Sequence, residues 1–208
     1  MIRFIYGDSL SVYPALSRSM FFDRARIFAD RLCWEVSVDT SGEERDSYDN
    51  LNPLYLIWQA EDGGHGGSLR LLPTTGPTMA NDHFAYLIGE GTIVSPLIWE
   101  ATRFCVAPEL AGDARIPAAL MLAAAEVGKR AYLSHALGVF DAPMERVYQT
   151  LGWSPEVIGR DESAEENIAI GLWDFAQAPC DDLAARAEID PACMAEWYSA
   201  ALGPADLA

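Results

Sequence analysis

The segment Pro96-Leu97-Ile98-Trp99-Glu100-Ala101-Thr102-Arg103-Phe104-Cys105-Val106 has the apolar content of a buried strand but carries two charged side chains. Glu100 and Arg103 are three positions apart, so a regular strand would point them to opposite faces of its sheet. They can share one site only if the strand carries an extra residue. The segment therefore predicts a β-bulge between Glu100 and Arg103.

Other charged residues interrupt or precede apolar runs. Arg70 interrupts the run Ser68-Leu69-Arg70-Leu71-Leu72, and Asp46 and Asp49 lie in a polar segment upstream. Because an isolated charge is costly to bury, we expect these residues and the two charges of the first segment to neutralise one another. Three carboxylates and two guanidinium groups then form one partly buried network, a setting typical of catalytic sites. A purely structural ion-pair network is the alternative.

Composition limits the class of protein. The 208 residues, 50% of them hydrophobic, predict a single domain spanning 1–208 with a substantial core. The apolar stretch before Gly7 is too short for a signal peptide, and no apolar run reaches membrane length, so we expect no membrane span and a cytoplasmic location. The net charge of −17 argues against a nucleic-acid partner.

Cysteines and histidines show no metal-binding spacing, so no metal site is expected. His65 lies in the glycine-rich stretch 63–67, which predicts a hairpin turn. The four cysteines form no CxxC pair and are predicted to be buried free thiols. They are Cys33, Cys105, Cys180 and Cys193.

Hydrophobic periodicity predicts strands that alternate with helices, which is typical of a three-layer α/β domain. The predicted strands are Arg3–Tyr6, Leu54–Ala60, Gly67–Leu72, Leu97–Val106, Leu137–Asp141 and Ile168–Phe175. The predicted helices are Tyr13–Leu32, Arg115–Ala136, Pro143–Leu151, Asp181–Arg186 and Asp190–Leu202. The loop before Arg115 contains Gly112, and either a phosphate cradle or an ordinary helix entry fits it.

The charged residues occur in a specific order with aromatic ones. This order resembles the LuxI-type autoinducer synthases, which are acyl-homoserine lactone synthases, from about Phe4 to about Gly171. The resemblance implies a GNAT-like acyltransferase fold, an α/β/α sandwich with a mostly antiparallel mixed sheet. It is carried by Arg24, Phe28, Trp34, Asp46, Asp49, Arg70, Glu100 and Arg103.

The resemblance also implies a reaction. An acyl thioester, on acyl carrier protein or coenzyme A, acylates the amine of S-adenosylmethionine, and lactone closure releases methylthioadenosine and a quorum-sensing signal. S-Adenosylmethionine is a substrate, and no cofactor is expected. Glu100 is the expected general base, acting directly or through a water. Its apolar setting favours a raised pKa and Arg103 opposes this, and the sequence does not decide between the two effects.

Roles follow for the other residues. Asp46 and Asp49 are expected to bind Arg70, and Arg24 and Arg103 to bind the substrate carboxylate or the acids of the site. The expected catalytic residues are Glu100, Arg103, Asp46, Asp49 and Arg70. The expected S-adenosylmethionine-binding residues are Arg24, Phe28, Trp34 and Phe104, where Phe28 and Trp34 offer ring faces to adenine and the sulfonium.

An apolar pocket is expected for the acyl chain. Gly138 aligns with a position where relatives preferring 3-oxo chains tend to have threonine or serine, which favours an unsubstituted or otherwise different chain. The expected lining residues are Phe84, Met121, Leu122, Gly138, Phe140 and Met144.

The acidity of the chain bears on its acyl donor. Acyl carrier protein is also acidic, and two acidic proteins repel unless a basic patch steers their encounter. The candidate patch is Lys129, Arg130 and Arg146, and Lys129 is the only lysine in the chain. Because this patch is small, acyl-coenzyme A stays open as the donor.

Two other functions are open on sequence alone. One is a GNAT-type N-acyltransferase that acts on another small amine or a peptide. The other is a non-catalytic binding module that has kept the fold.

Overall fold

A mixed sheet forms the centre of the computed structural model, which describes residues 1–89, 91–161 and 167–203. Its strands are β1 (Ile2–Tyr6), β2 (Leu54–Gln59), β3 (His65–Pro73), β4 (Ile98–Val106), β5 (His135–Phe140), β6 (Glu156–Asp161) and β7 (Ile168–Asp174). They lie in the order β1-β2-β3-β4-β5-β7-β6. All neighbours among them are antiparallel except β4 and β5, which confirms the predicted mostly antiparallel mixed sheet.

Helices cover both faces of this sheet. They are α1 (Pro14–Ala25), α2 (Met79–His83), α3 (Arg115–Arg130), α4 (Ala142–Leu151), α5 (Cys180–Ala187) and α6 (Pro191–Leu202). Because side chains alternate along a strand, Phe4 and Leu56 pack with α3 on one face, whereas Ile5 and Tyr55 pack with α1 on the other. The predicted three-layer α/β/α arrangement is therefore confirmed.

Several element boundaries differ from the sequence prediction. The helix predicted to reach Leu32 is α-helical to Ala25 and continues as a π-helical turn over Arg26–Arg31. Helix α3 ends at Arg130, not Ala136, because the chain reverses at Tyr132, which has a left-handed φ of 53°, and enters β5. Strand β6 was missed because a register shift between Val157 and Gly159 breaks its side-chain alternation.

His65 does not lie in a turn. It is the first residue of β3, is buried, and its Nδ1 lies 2.8 Å from Asp23 Oδ2 on α1. Burial opposes protonation of His65, but the hydrogen bond to Asp23 prevails and raises its pKa to about 9. All four cysteines are free, as predicted, yet only Cys105 is buried. The prediction of buried thiols is therefore wrong for the other three.

Candidate active site

The predicted bulge is present in β4. Ser68 pairs with Cys105 and Arg70 pairs with Thr102, so one β3 residue between them faces two β4 residues. Arg103 is one of those two and has a left-handed φ of 54°. The bulge therefore lies at Arg103 itself. It turns the Arg103 guanidinium towards α2, the helix whose backbone N–H groups Glu100 binds.

A cavity opens where β4 and β5 separate. The two strands pair over three positions, ending at Glu100 and Leu137, and a cavity of about 840 Å³ lies beside the residues that follow. Ten of the predicted site residues line it. They are Phe28, Trp34, Asp46, Phe84, Arg103, Phe104, Met121, Gly138, Phe140 and Met144.

Arg70 is the centre of an ion-pair network beside this cavity. Its Nη1 lies 2.6 Å from Asp46 Oδ1 and 2.7 Å from Asp49 Oδ1, and its Nη2 lies 2.9 Å from Asp46 Oδ2. Its Nε donates to Thr102 Oγ1 at 3.0 Å. The side chain is fully buried, so each of these bonds offsets part of the cost of removing the cation from water.

Local backbone structure fixes the two aspartates. Asp46 precedes a short 3₁₀ turn, and its carboxylate accepts hydrogen bonds from the backbone N–H groups of Tyr48 and Asp49. The Asp49 carboxylate accepts from the Asp46 N–H at 2.9 Å, which completes a capping box. Burial alone would raise the pKa of Asp49, but Arg24 and Arg70 lower it well below its usual range.

Arg24 lies beneath the cavity and not in its wall. Its guanidinium donates to both oxygens of Asp49 at 3.0 Å and to Glu44. Its side chain is 1% exposed, so it does not reach the substrate position expected for it. The structure instead supports the other expected role, binding to the acids of the site.

Glu44 is a member of the network that the sequence did not reveal. It is fully buried between two arginines, with one oxygen on Arg24 and the other 3.0 Å from Arg103 Nη2. Its polar neighbours, Glu43 and Arg45, make the segment resemble a solvated loop. Its position two residues before Asp46 is the only sequence signal that pointed to it.

The network has a surplus of acid. The structure adds Glu44 to the carboxylates of Asp46, Asp49 and Glu100, and these four face the guanidinium groups of Arg24, Arg70 and Arg103. With every group ionised, four negative and three positive charges leave one negative charge. The site is therefore suited to a cationic substrate.

Glu100 stands behind the cavity wall. It is fully buried, and its carboxylate accepts from the backbone N–H groups of Met79, at 3.1 Å, and Ala80. These are first-turn groups of α2, which have no partner inside the helix, so a carboxylate is favoured there. Burial raises the pKa of Glu100 against these bonds and the nearby arginines. Glu100 does not line the cavity, so of the two expected routes to the amine, direct or through a water molecule, the structure favours the second.

Stacked rings line the cavity next to Arg103. The Phe28 and Trp34 rings are 5.3 Å apart with an angle of 10° between their planes. The Arg103 guanidinium carbon lies 5.4 Å from the centre of the Phe28 ring. Phe28 belongs to the π-helical turn, which therefore orients one of the two aromatic faces.

The apolar part of the cavity departs from prediction at one position. Met121 lines the cavity, whereas Leu122 is buried in the core of the domain. Consecutive helix residues point about 100° apart, so only one of the two can face the cavity. Ala124, one turn beyond Met121, lines it as well.

Two surface predictions also meet the structure. Arg130 donates to Glu126 at 2.8 Å and packs over Tyr198, so part of the charge of the predicted carrier-protein patch is already neutralised.

At the start of α3 the Asp113 carboxylate accepts from the Arg115 N–H at 3.0 Å. An acid therefore occupies the helix entry, which favours the ordinary entry over the phosphate cradle. The described part of the chain contains no helix long and apolar enough to cross a bilayer.

The sheet order, the separation of β4 from β5 and the cavity between them define an acyltransferase fold. A protein described as an N-acetyltransferase from Lactobacillus plantarum shares the fold, with a TM-score of 0.54 and 16% identity over 84% of this chain and 98% of that one. The predicted GNAT-like fold is thereby confirmed.

More specific comparisons give the family. The family model described as autoinducer synthase matches residues 9–187. An acyl-homoserine-lactone synthase from Rhizobium etli is 36% identical over 192 residues, 89% of this chain and 90% of the relative. BjaI, a CoA-dependent acyl-homoserine lactone synthase solved with SAM and isopentyl-CoA, has a TM-score of 0.80 and 26% identity over 91% of this chain and 90% of that chain. The chain belongs to the autoinducer synthase family, and its enzymatic class is acyl-homoserine-lactone synthase.

Proposed function

We propose that the chain transfers an acyl group from a thioester to the amine of S-adenosylmethionine and closes the product to an N-acyl-homoserine lactone. The observation that carries this proposal is the acidic network of Asp46, Glu44 and Arg103 beside stacked rings, at the mouth of a split between β4 and β5. BjaI, which shares the fold, has been solved with SAM and isopentyl-CoA.

Charge and ring contacts support the cationic substrate. Phe28 and Trp34 stack on each other and line the cavity, and contact of the sulfonium with one of these rings would contribute about 0.5 to 2 kcal/mol. Asp46, which lines the cavity, retains 17% exposure of its side chain. It is the network carboxylate best placed to attract the positive charge.

Arg103 supports binding of the substrate carboxylate. Its Nε and Nη2 are bound to Glu44, and Nη2 also pairs with Asp46. Among the residues that the structure describes, its Nη1 has one acceptor, the weakly accepting sulfur of Met79 at 3.4 Å. A carboxylate oxygen that replaces this contact gains a charge-assisted hydrogen bond.

The reaction has two steps, acyl transfer and lactone closure. The amine nitrogen attacks the thioester carbonyl carbon, the thiol leaves, and the amine proton passes to a base. The substrate carboxylate oxygen then attacks the carbon next to sulfur, and the broken C–S bond releases neutral methylthioadenosine. The second step is intramolecular with a good leaving group, so orientation is the main requirement. No cofactor enters either step.

Glu100 is the proposed base. Each of its oxygens accepts one backbone hydrogen bond and keeps a lone pair, so a water molecule can connect it to the amine. Its raised pKa makes the Glu100 carboxylate a stronger base than an ordinary glutamate. Backbone N–H groups of β4 beyond the end of its pairing with β5 are the candidates for binding the thioester oxygen.

The proposed donor is an acyl thioester on acyl carrier protein or coenzyme A. The cytoplasm is the proposed location, since both substrates are made there. The proposed reaction involves neither nucleic acid nor a membrane.

Purified protein is expected to release methylthioadenosine only when S-adenosylmethionine and an acyl thioester are both present. Mass spectrometry of the products should show an acylated homoserine lactone in equal amount. A GNAT-type enzyme for another amine would consume the thioester with that amine and leave S-adenosylmethionine intact, which would contradict the proposal.

The double variant Arg130→Glu, Arg146→Glu is expected to slow the reaction with acyl carrier protein by about tenfold at low salt, and by less at 0.5 M salt, because it removes attraction to an acidic partner. Rates with acyl-coenzyme A should change little. Arg18→Glu, at an α1 residue whose side chain is 74% exposed, is the control for a change in net charge away from the patch, with half the charge change of the double variant. An equal loss with acyl carrier protein in the double variant and in the Arg18→Glu control would reject the patch.

A further inference from the structure

Tyr148 brings a hydroxyl group into an aromatic part of the cavity. It lies on α4 and lines the cavity together with Phe104, Phe140 and Trp173. The centres of these three rings lie 6.3, 5.7 and 4.9 Å from that of Tyr148, each in an edge-on arrangement. The four rings form one wall of the cavity, and Tyr148 brings a hydroxyl group to it.

This hydroxyl has no hydrogen-bond partner within residues 1–89, 91–161 and 167–203. Within the described residues, His65 Nε2 is the fully buried polar side-chain atom that lacks a hydrogen-bond partner. The Tyr148 oxygen also lacks a partner, but it is not fully buried, and its residue lines the cavity. Burial raises the pKa of Tyr148, so its phenol is neutral and can both donate and accept.

The β5 residue Gly138, which packs against Trp173 of this wall, explains why a hydroxyl on α4 matters here. A Cβ atom added to Gly138 would lie 2.9 Å from Cζ3 of Trp173 and 3.4 Å from the Ala101 carbonyl oxygen. The Trp173 ring is fixed, because its Nε1 donates to the Trp153 carbonyl at 3.1 Å. A threonine or serine therefore does not fit at position 138. The nearby Asp141 carboxylate already caps α4 through the Met144 N–H.

The same contacts indicate which part of the acyl chain would lie beside Tyr148. Trp173 lies against Gly138, the first β5 residue after the strands separate, and Phe104 follows Arg103 directly. Tyr148 contacts both rings. The Tyr148 ring therefore lies near the point where β4 and β5 separate, which is where the proposed thioester would enter.

We propose that Tyr148 is a specificity-determining residue that selects acyl thioesters carrying an oxygen at carbon 3, as a keto or a hydroxyl group. The inference rests on the proposed function and deepens it. An unsubstituted chain excludes water from the phenol without giving it a partner, whereas an oxygen at carbon 3 restores the hydrogen bond. Tyr148 thereby takes the place of the β5 hydroxyl that Gly138 lacks. The substrate then differs from the unsubstituted chain, which is one of the two outcomes that Gly138 alone favours.

The test compares wild type with Tyr148→Phe on octanoyl, 3-oxooctanoyl and 3-hydroxyoctanoyl thioesters, and on their twelve-carbon equivalents. Each is supplied on coenzyme A and on acyl carrier protein. We expect the wild type to prefer at least one oxygenated donor, and Tyr148→Phe to lower kcat/KM for that donor by about five- to tenfold, the effect of one hydrogen bond. Its kcat/KM for the unsubstituted donor should stay equal or rise. Comparison of the 3-oxo donors with the 3-hydroxy donors shows which of the two groups Tyr148 selects.

Tyr198→Phe is the matched control, because Tyr198 is a partly buried tyrosine that packs on Phe4 outside the cavity. It should leave the preference unchanged. A wild type that prefers the unsubstituted donor, or an equal loss on all donors in Tyr148→Phe, would overturn the inference while leaving lactone synthesis intact. Absence of lactone from every donor would refute the proposed function itself, and the selection with it.

Discussion

Arg70→Ala is expected to abolish lactone synthesis and to lower the free energy of unfolding by about 3 to 5 kcal/mol. Removal of the guanidinium leaves Asp46 and Asp49 close together without the cation that now lies 2.6 and 2.7 Å from them. Two partly buried carboxylates then repel each other, and the capping turn that contains them loosens. Urea denaturation measures the stability, and methylthioadenosine release measures the activity.

Arg115→Ala is the control for this variant. Its guanidinium also pairs with a carboxylate, Asp113 at 2.7 Å, but its side chain is 49% exposed. Exposed pairs contribute about 1 kcal/mol or less, so stability should change little. An Arg70→Ala protein with normal stability and turnover would show that the buried network is not needed for either property.

The sequence predicted the network because its members conflict with their surroundings. Burial of the Arg70 guanidinium in an apolar strand costs free energy unless a charged partner is buried with it. The spacing of Glu100 and Arg103 requires a bulge if both are to reach one site. Both arguments use strand geometry alone. They hold whatever the rest of the fold does, and the structure agrees with both.

Other features could not be predicted because they depend on contacts between distant segments. Glu44 lies in a polar loop, and only the approach of Arg24 and Arg103 buries it. Glu100 leaves the cavity wall because α2 presents two N–H groups to it, and sequence periodicity does not reveal a five-residue helix. His65 was assigned to a turn because its partner, Asp23, is 42 residues away.

The network also stabilises an unfavourable backbone. A left-handed φ costs a residue other than glycine about 1 to 2 kcal/mol, and Arg103 adopts one at 54°. Glu44 and Asp46 bind its guanidinium. Both belong to one loop, which is hydrogen-bonded to α1. The loop therefore keeps the bulge in the form that opens the cavity. Strain at this point is compensated by ion pairs, a pattern common at functional sites.

Glu100→Gln is expected to lower kcat by about 10² to 10⁴-fold with little change in the KM for S-adenosylmethionine, because the amide cannot accept the amine proton. The amide oxygen still accepts one of the two α2 N–H bonds, so the protein should remain folded. In the wild type, kcat should fall as pH drops through the raised pKa of Glu100, since only the carboxylate is a base. The variant should lack this dependence.

Glu35→Gln separates the proposed base from a rival. Glu35 is an exposed carboxylate that lines the cavity, and the described part of the chain gives it no ion pair, so its access to the amine is the more direct. We expect its loss to affect mainly KM, through weaker attraction of the cation. If Glu35→Gln removed the pH dependence and Glu100→Gln raised only KM, Glu100 would be a positioning residue that anchors α2 and Met79 against Arg103.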